Sequence, residues 1–152
     1  RILRGKTNEF MRIYEATEPS DLLAEAFARL LPQLSERMTA PDREAVARIV
    51  ASPATRQLVA AAEDGRIVGL LSVALYDVPS GRKAWIEDVV VDAATRGRGI
   101  GEALVREALA LARREGVARV MLTSNATRRA AHRLYERMGF VRYETDCFRL
   151  DL

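Results

Sequence analysis

The segment Val89-Val90-Val91-Asp92-Ala93-Ala94-Thr95-Arg96-Gly97-Arg98-Gly99-Ile100-Gly101-Glu102 carries an apolar strand through a turn rich in glycine and arginine into a helix. Glycines at 97, 99 and 101 remove side chains that would hold an anion off the main chain, and they permit the φ > 0 conformations of a tight turn. From Glu102 to Glu115, apolar residues fall at 104, 105, 108, 109, 111 and 112, the stripe of an amphipathic helix with Gly116 as its C′ residue. The first N–H groups of such a helix lack intrahelical acceptors. With the positive end of the helix dipole and the charges of Arg96 and Arg98, they form a phosphate site at the turn.

Spacing separates the phosphate motifs that could produce this turn. A dinucleotide fingerprint, G-x-G-x-x-G, fails because the sixth position counted from Gly97 is Glu102, and a Walker loop fails for want of its Gly-Lys-Ser/Thr. The pattern that fits is R-x-x-G-x-G, from Arg96 to Gly101. Downstream, Val117 to Leu122 reads as a buried strand and Thr127 to Met138 as a helix ended by Gly139. Between and along them runs Asn125-Ala126-Thr127-Arg128-Arg129-Ala130-Ala131-His132-Arg133-Leu134-Tyr135-Glu136-Arg137-Met138-Gly139-Phe140. The two motifs, in this order, resemble the pyrophosphate loop and the second signature of the GNAT superfamily of acetyl-CoA-dependent N-acetyltransferases. The resemblance covers Trp85 to Phe140, a little over a third of the chain.

A chain of 152 residues, 49% hydrophobic, can bury one substantial core and is expected to form a single domain. No segment approaches the roughly 20 apolar residues of a membrane span, and none has the pattern of a signal peptide, so a cytoplasmic protein without membrane partners is expected. The single cysteine, Cys147, cannot form an internal disulfide, and no Cys/His cluster has metal-ligand spacing, so no metal is expected. The net charge of +3 is unevenly spread. Residues 92–142 hold 11 Arg against 5 Asp or Glu, while the remainder holds 13 basic and 16 acidic residues. A basic field around the motifs would steer and hold a polyanion. Nucleic acid is the competing polyanion, but no aromatics interleave with these arginines as a stacking platform, so no nucleic-acid partner is expected.

Met11 reads as a native start, which makes residues 1–10 a tag or loose leader and 11–152 the domain. Along that domain the patterning predicts a strand over Met11 to Ala16, a helix from about 21 to 31 capped by Pro19-Ser20-Asp21, and another from Pro41-Asp42 to about 51. A hairpin over Gln57 to Ala62 and Arg66 to Tyr76 follows, then a strand over Lys83 to Val91 and, after the motifs, a last strand over Thr145 to Leu150. The order β-α-α-β-β-β-α-β-α-β predicts an α/β (α+β) fold, a mixed sheet with helices on both faces. His132, between arginines, reads as a surface residue, and Cys147 as a small core or edge residue.

The resemblance implies roles for particular residues. A bulge near the end of the Trp85 to Val91 strand would splay the sheet, letting backbone groups of Val89, Val90 and Val91 pair with the pantetheine arm of acetyl-CoA. Arg96, Gly97, Arg98, Gly99 and Gly101 would cradle the pyrophosphate over a buried Ile100, and Asn125 would hydrogen-bond the arm. Tyr135 stands where the family keeps its general acid, and the Val89 N–H would stabilise an oxyanion. Glu87, a carboxylate on a central strand, would deprotonate the amine or anchor it, with Asp88 beside it contacting substrate. The implied activity is acetyl transfer to a primary amine of a small metabolite, an amino sugar or amino acid derivative, by direct attack in a ternary complex. Acetylation of protein N-termini or lysines, and a non-catalytic acyl-CoA sensor, are the alternatives. Related domains often pair through their C-terminal strands, which leaves a homodimer open.

Overall fold

The computed structural model of the protein describes residues 2–4 and 10–152, with side chains from residue 11 onward. The expected leader over residues 1–10 lies largely outside the described residues, apart from strand β1 (Ile2–Arg4), which pairs antiparallel with β2 (Phe10–Ala16). Helices α1 (Asp21–Leu34) and α2 (Arg43–Ala51) follow. Each starts at the residue whose side chain can cap it: Ser20 Oγ accepts from the Leu23 amide at 3.1 Å, and Asp42 Oδ1 from the Ala45 amide at 2.8 Å.

Strands β3 (Thr55–Ala61), β4 (Ile67–Val78) and β5 (Gly81–Val91) form an antiparallel meander, and β6 (Val120–Met121) joins β5 in parallel after the crossover helix α3 (Ile100–Arg114). The final helix, α4, spans Arg129–Arg137. Strand order follows chain order from β1 to β6, antiparallel until the last pairing.

The pleat sorts the apolar residues into two cores. On β3, Leu58 and Ala60 pack with Leu104, Val105, Ala108 and Leu111 of α3, while Val59 between them packs with Leu23, Phe27 and Leu30 of α1 and Val46 of α2. Helices therefore cover both faces, as the element order predicts. Gly69 suits this close packing: a Cβ there would lie 3.0 Å from both Ile100 Cγ2 and Leu104 Cδ1, and those side chains would have to shift.

The C-terminal third departs from expectation. The predicted strand over Val117 to Leu122 shrinks to two half-buried residues. Its start is taken by the end of α3, where Gly116 at φ 73° donates to the Arg113 carbonyl and the Val117 amide to the Ala112 carbonyl at 3.0 Å, a Schellman closure that spends the amide a ladder would need. The predicted last strand over Thr145 to Leu150 is absent. With β6 so short, its edge offers little ladder, and Phe148 and Leu150 stay 92% and 82% exposed. Cys147 is exposed with them rather than buried in a core.

Candidate active site

The site begins at a fault in the β4–β5 register. Leu70 pairs with Val90 and Ser72 with Glu87, so Leu71 faces two residues, Asp88 and Val89. The extra residue is absorbed at Asp88, whose φ of 48° makes it the one described non-glycine residue in the left-handed region. The bulge inverts the alternation of β5. Before it, Ala84 and Ile86 face the α3 core; after it, Val89 and Val91 do, with Val90 on the α1 side. Glu87 and Val89, two residues apart and so on one face of an unbroken strand, therefore lie on opposite faces. Partial burial and then the neighbouring Asp88 carboxylate hold Glu87 above the ordinary glutamate pKa.

Beyond Val91 the chain passes Asp92 and a single 3-10 turn, Ala93–Thr95, before the glycine turn. Asp92 is 5% exposed and clasped from several sides. Its Oδ2 accepts from Arg29 Nη1 of α1 at 2.7 Å, and its Oδ1 from the Ala94 amide at 3.1 Å. Gln33, one turn further along α1, accepts from the Ala93 amide at 2.8 Å. Burial alone would raise the Asp92 pKa, but the Ala94 amide, Gln33, Arg29 and Arg66 outweigh it and bring the carboxyl below its ordinary value. The start of the glycine turn is thereby pinned to α1.

Gly97 and Gly99 sit at φ 79° and 78°, and Gly99 is the N-cap of α3, with no side-chain cap. The first donors of α3 are thus left to a ligand. Gly101 serves another purpose: a Cβ there would lie 3.2 Å from Leu134 Cδ2, so its bareness lets α4 close on the start of α3.

These elements surround a cavity of about 940 Å³. Its walls contain Val89, Val90 and Val91 of β5, Arg96, Gly97, Gly99, Ile100 and Gly101 of the turn, Asn125 and Tyr135, with Glu87 and Asp88 at the bulge. Of the residues expected at the site, only Arg98 is not part of the lining. Asn125 is exposed and its Oδ1 accepts from the Thr127 amide and hydroxyl at 2.9 and 2.8 Å. That turn delays α4, which begins at Arg129 rather than Thr127. The Tyr135 ring packs edge-on against Phe140, 5.8 Å between centroids, and burial raises its hydroxyl pKa against the lowering effect of Arg128.

Sequence reasoning missed two features of this site and misplaced one residue, His132, that lies outside its lining. Gln33 and Leu34, at the end of α1, form part of the wall, and Arg128 donates to the Leu34 carbonyl, joining α1 to the start of α4. Arg129, Arg133 and Arg137 all line the cavity, a row at i, i+4, i+8 legible in the sequence had the helix been tested for a charged face as well as an apolar one. His132, expected on the surface, is half-buried, and its Nε2 has no hydrogen-bond partner among the described residues.

Known proteins resemble this chain over much of its length. The model of the acetyltransferase (GNAT) family matches residues 9–140. Glucosamine 6-phosphate N-acetyltransferase 1 of Oryza sativa subsp. japonica is 35% identical over 127 residues, 78% of this chain and 75% of that protein. A mycothiol acetyltransferase of Thermomonospora curvata is 36% identical over 89 residues, 59% of this chain, which spans 29% of that longer relative. Among solved structures, an acetyltransferase of Trypanosoma brucei superposes with a TM-score of 0.76 at 30% identity, over 93% of this chain and 99% of its own. With a family match across most of its length and the glycine turn, bulge and closing helix of the fold in place, the chain belongs to the GNAT acetyltransferase family.

Proposed function

We propose that this protein transfers an acetyl group from acetyl-CoA to the primary amine of a small molecule. The observation that carries the reading is the uncapped start of α3 opening, behind two glycines at positive φ, into a cavity that also reaches the β5 bulge and Tyr135. The residues suit coenzyme A. Bare backbone donors and Arg96 meet the diphosphate, and the row of Arg129, Arg133 and Arg137 meets further negative charge on the nucleotide. The backbone of Val89 to Val91 offers strand-like partners to the amide-bearing arm. The names of the rice and Thermomonospora relatives support a small-molecule acceptor rather than a protein.

Acetyl-CoA supplies the activated acyl group as a thioester. The chain supplies proton handling and charge stabilisation. Glu87, held above the ordinary glutamate value, takes a proton from the substrate ammonium and leaves a neutral nucleophile. As the C–N bond forms and the C–S bond breaks, the Val89 N–H stabilises charge on the carbonyl oxygen. Tyr135, raised by burial and so protonated through neutral pH, gives its proton to the departing sulfur, and the proton lost by the nitrogen restores it.

Free thiol should appear when acetyl-CoA is mixed with a panel of primary amines, and affinity for acetyl-CoA with no thiol release across the panel would leave a binding domain only. Tyr135→Phe should lower kcat by roughly 100-fold or more while acetyl-CoA affinity stays within about twofold. Equal loss of both would reduce Tyr135 to packing. Because a base must be ionised to act, kcat/KM should fall as pH drops through the raised Glu87 pKa. Glu87→Gln should abolish that acid limb, and an unaltered profile would remove Glu87 from the role.

A further inference from the structure

A second cavity, of about 260 Å³, lies between the sheet and the first two helices and shares Glu87 and Asp88 with the larger one. Its helix side is apolar, built from Phe27 and Leu31 of α1 and Ile49 of α2. Its sheet side is a polar row. Gln57 of β3 is the cross-strand partner of Ser72 on β4, which is in turn the partner of Glu87 on β5, so the three side chains stand in line on one face.

The hydrogen bonds within this row fix what it shows to a ligand. Gln57 is 3% exposed, and its amide nitrogen donates to the Leu58 and Leu71 carbonyls at 3.2 and 3.3 Å. Its amide oxygen must then face Ser72, whose Oγ donates to it at 2.8 Å. A hydroxyl has one proton. With that proton committed to Gln57, Ser72 offers the cavity lone pairs only. Glu87 and Asp88 add two carboxylates, and no Lys or Arg is among the described residues of the lining.

We propose that this cavity seats the acceptor of the transfer reaction, and that Gln57 and Ser72 make it selective for a primary amine on an uncharged, partly apolar body. An acceptor bearing a phosphate or carboxylate would bring that anion against two carboxylates and a hydroxyl oxygen whose proton is committed to Gln57, with no cationic side chain to pair it. An ammonium and its neighbouring hydroxyl donors meet two carboxylates and the Ser72 lone pairs, and the Thr55 hydroxyl, which can accept or donate, is the one other polar side chain of the lining besides Gln57. The volume, equal to roughly nine waters at about 30 Å³ each, suits an amine of that scale. The inference rests on the acetyl-transfer reading and goes further by naming the acceptor chemistry and two residues that set it.

Matched amines test it: glucosamine against glucosamine 6-phosphate, and phenethylamine against phenylalanine, each followed by thiol release with acetyl-CoA and by calorimetric binding in the presence of coenzyme A. The uncharged member of each pair should be favoured at least tenfold by either measurement. Ser72→Ala should weaken binding of the uncharged amine roughly tenfold, with acetyl-CoA affinity within about twofold. Gln57→Leu, which frees the Ser72 proton, should narrow the discrimination. Preference for the anionic members, or unchanged amine affinity in both variants while circular dichroism shows them folded, would overturn the inference. Thiol release that favours the anionic amines would leave the transfer reading standing. Selective amine binding without thiol release would sink the transfer reading and leave the specificity of the cavity intact.

Discussion

Gly99→Val should weaken acetyl-CoA binding by at least tenfold and leave the protein folded. A valine at φ 78° costs about 2 kcal/mol, because the left-handed region is strained for any L-residue and worse for a β-branched one. The chain can accept that strain or escape it. If it keeps the geometry, the new Cβ meets no protein atom within 4 Å and the valine projects from the cavity wall, where it would keep a diphosphate off the amides. If it relaxes to negative φ, the first amides of α3 turn away from the cavity. Either outcome removes donors from the diphosphate, and a loss of about 1.4 kcal/mol is already tenfold. Isothermal titration gives the affinity and a thermal melt the integrity. Unchanged affinity in a folded variant would show that the turn does not hold the nucleotide.

Asp92→Ala should cost stability on a larger scale, about 3 kcal/mol, because it takes from Arg29 its buried carboxylate partner, leaving the guanidinium the Ile67 carbonyl at 2.5 Å and the Glu25 carboxylate, and leaves the Ala94 amide without its acceptor. Arg29 keeps Glu25 at 2.9 Å, but that carboxylate is 55% exposed and screened by water. For a domain of this size each kcal/mol moves Tm by about 2–4 °C, so a fall near 10 °C is expected. A fall under about 2 °C would show that the clasp between α1 and the end of β5 is dispensable. The pH dependence has a definite sign. The folded-state pKa of Asp92 lies below its ordinary value, so its stabilisation is fully present above that ordinary value and is lost as pH falls through the lowered one. Asp92→Ala should flatten the acid side of the stability curve relative to the parent, and a parallel loss at every pH would assign the effect to packing alone.

The contrast between these two sites explains what the sequence could and could not disclose. The glycine turn was legible because its physics is local: Gly97, Gly99 and the apolar stripe of α3 lie within one continuous stretch, and bare amides at a helix mouth follow from residue type and spacing. The Arg29–Asp92 pair joins residues 63 apart, and no short-range pattern marks either partner. The bulge falls between. The family resemblance implies it near the end of the Trp85 to Val91 strand, but strict period-2 alternation puts Glu87 and Val89 on one face, and only the register of β5 against β4 shows the inversion at Asp88. Helix caps at Ser20 and Asp42 were readable for the same local reason. The C-terminal end was not. Thr145 to Leu150, with its Thr, Cys, Phe and Leu, has strand character, but a strand needs an edge of matching length, and β6 supplies two residues.

The arginine row of α4 adds a consequence for solution conditions. Arg129, Arg133 and Arg137 face the same cavity as the glycine turn and are exposed, so their attraction to a polyanion is screened by salt. Five of the 11 arginines between residues 92 and 142 line the cavity: Arg96, Arg128, Arg129, Arg133 and Arg137.

Calorimetric titration of coenzyme A beside pantetheine, which keeps the arm and lacks the nucleotide diphosphate, addresses the central claim most directly. If the bare amides at the start of α3 grip the diphosphate, coenzyme A should bind and pantetheine should bind at least 100-fold more weakly, with the gap closing in Gly99→Val. Equal affinity for the two, or no uptake of coenzyme A by folded protein, would contradict it.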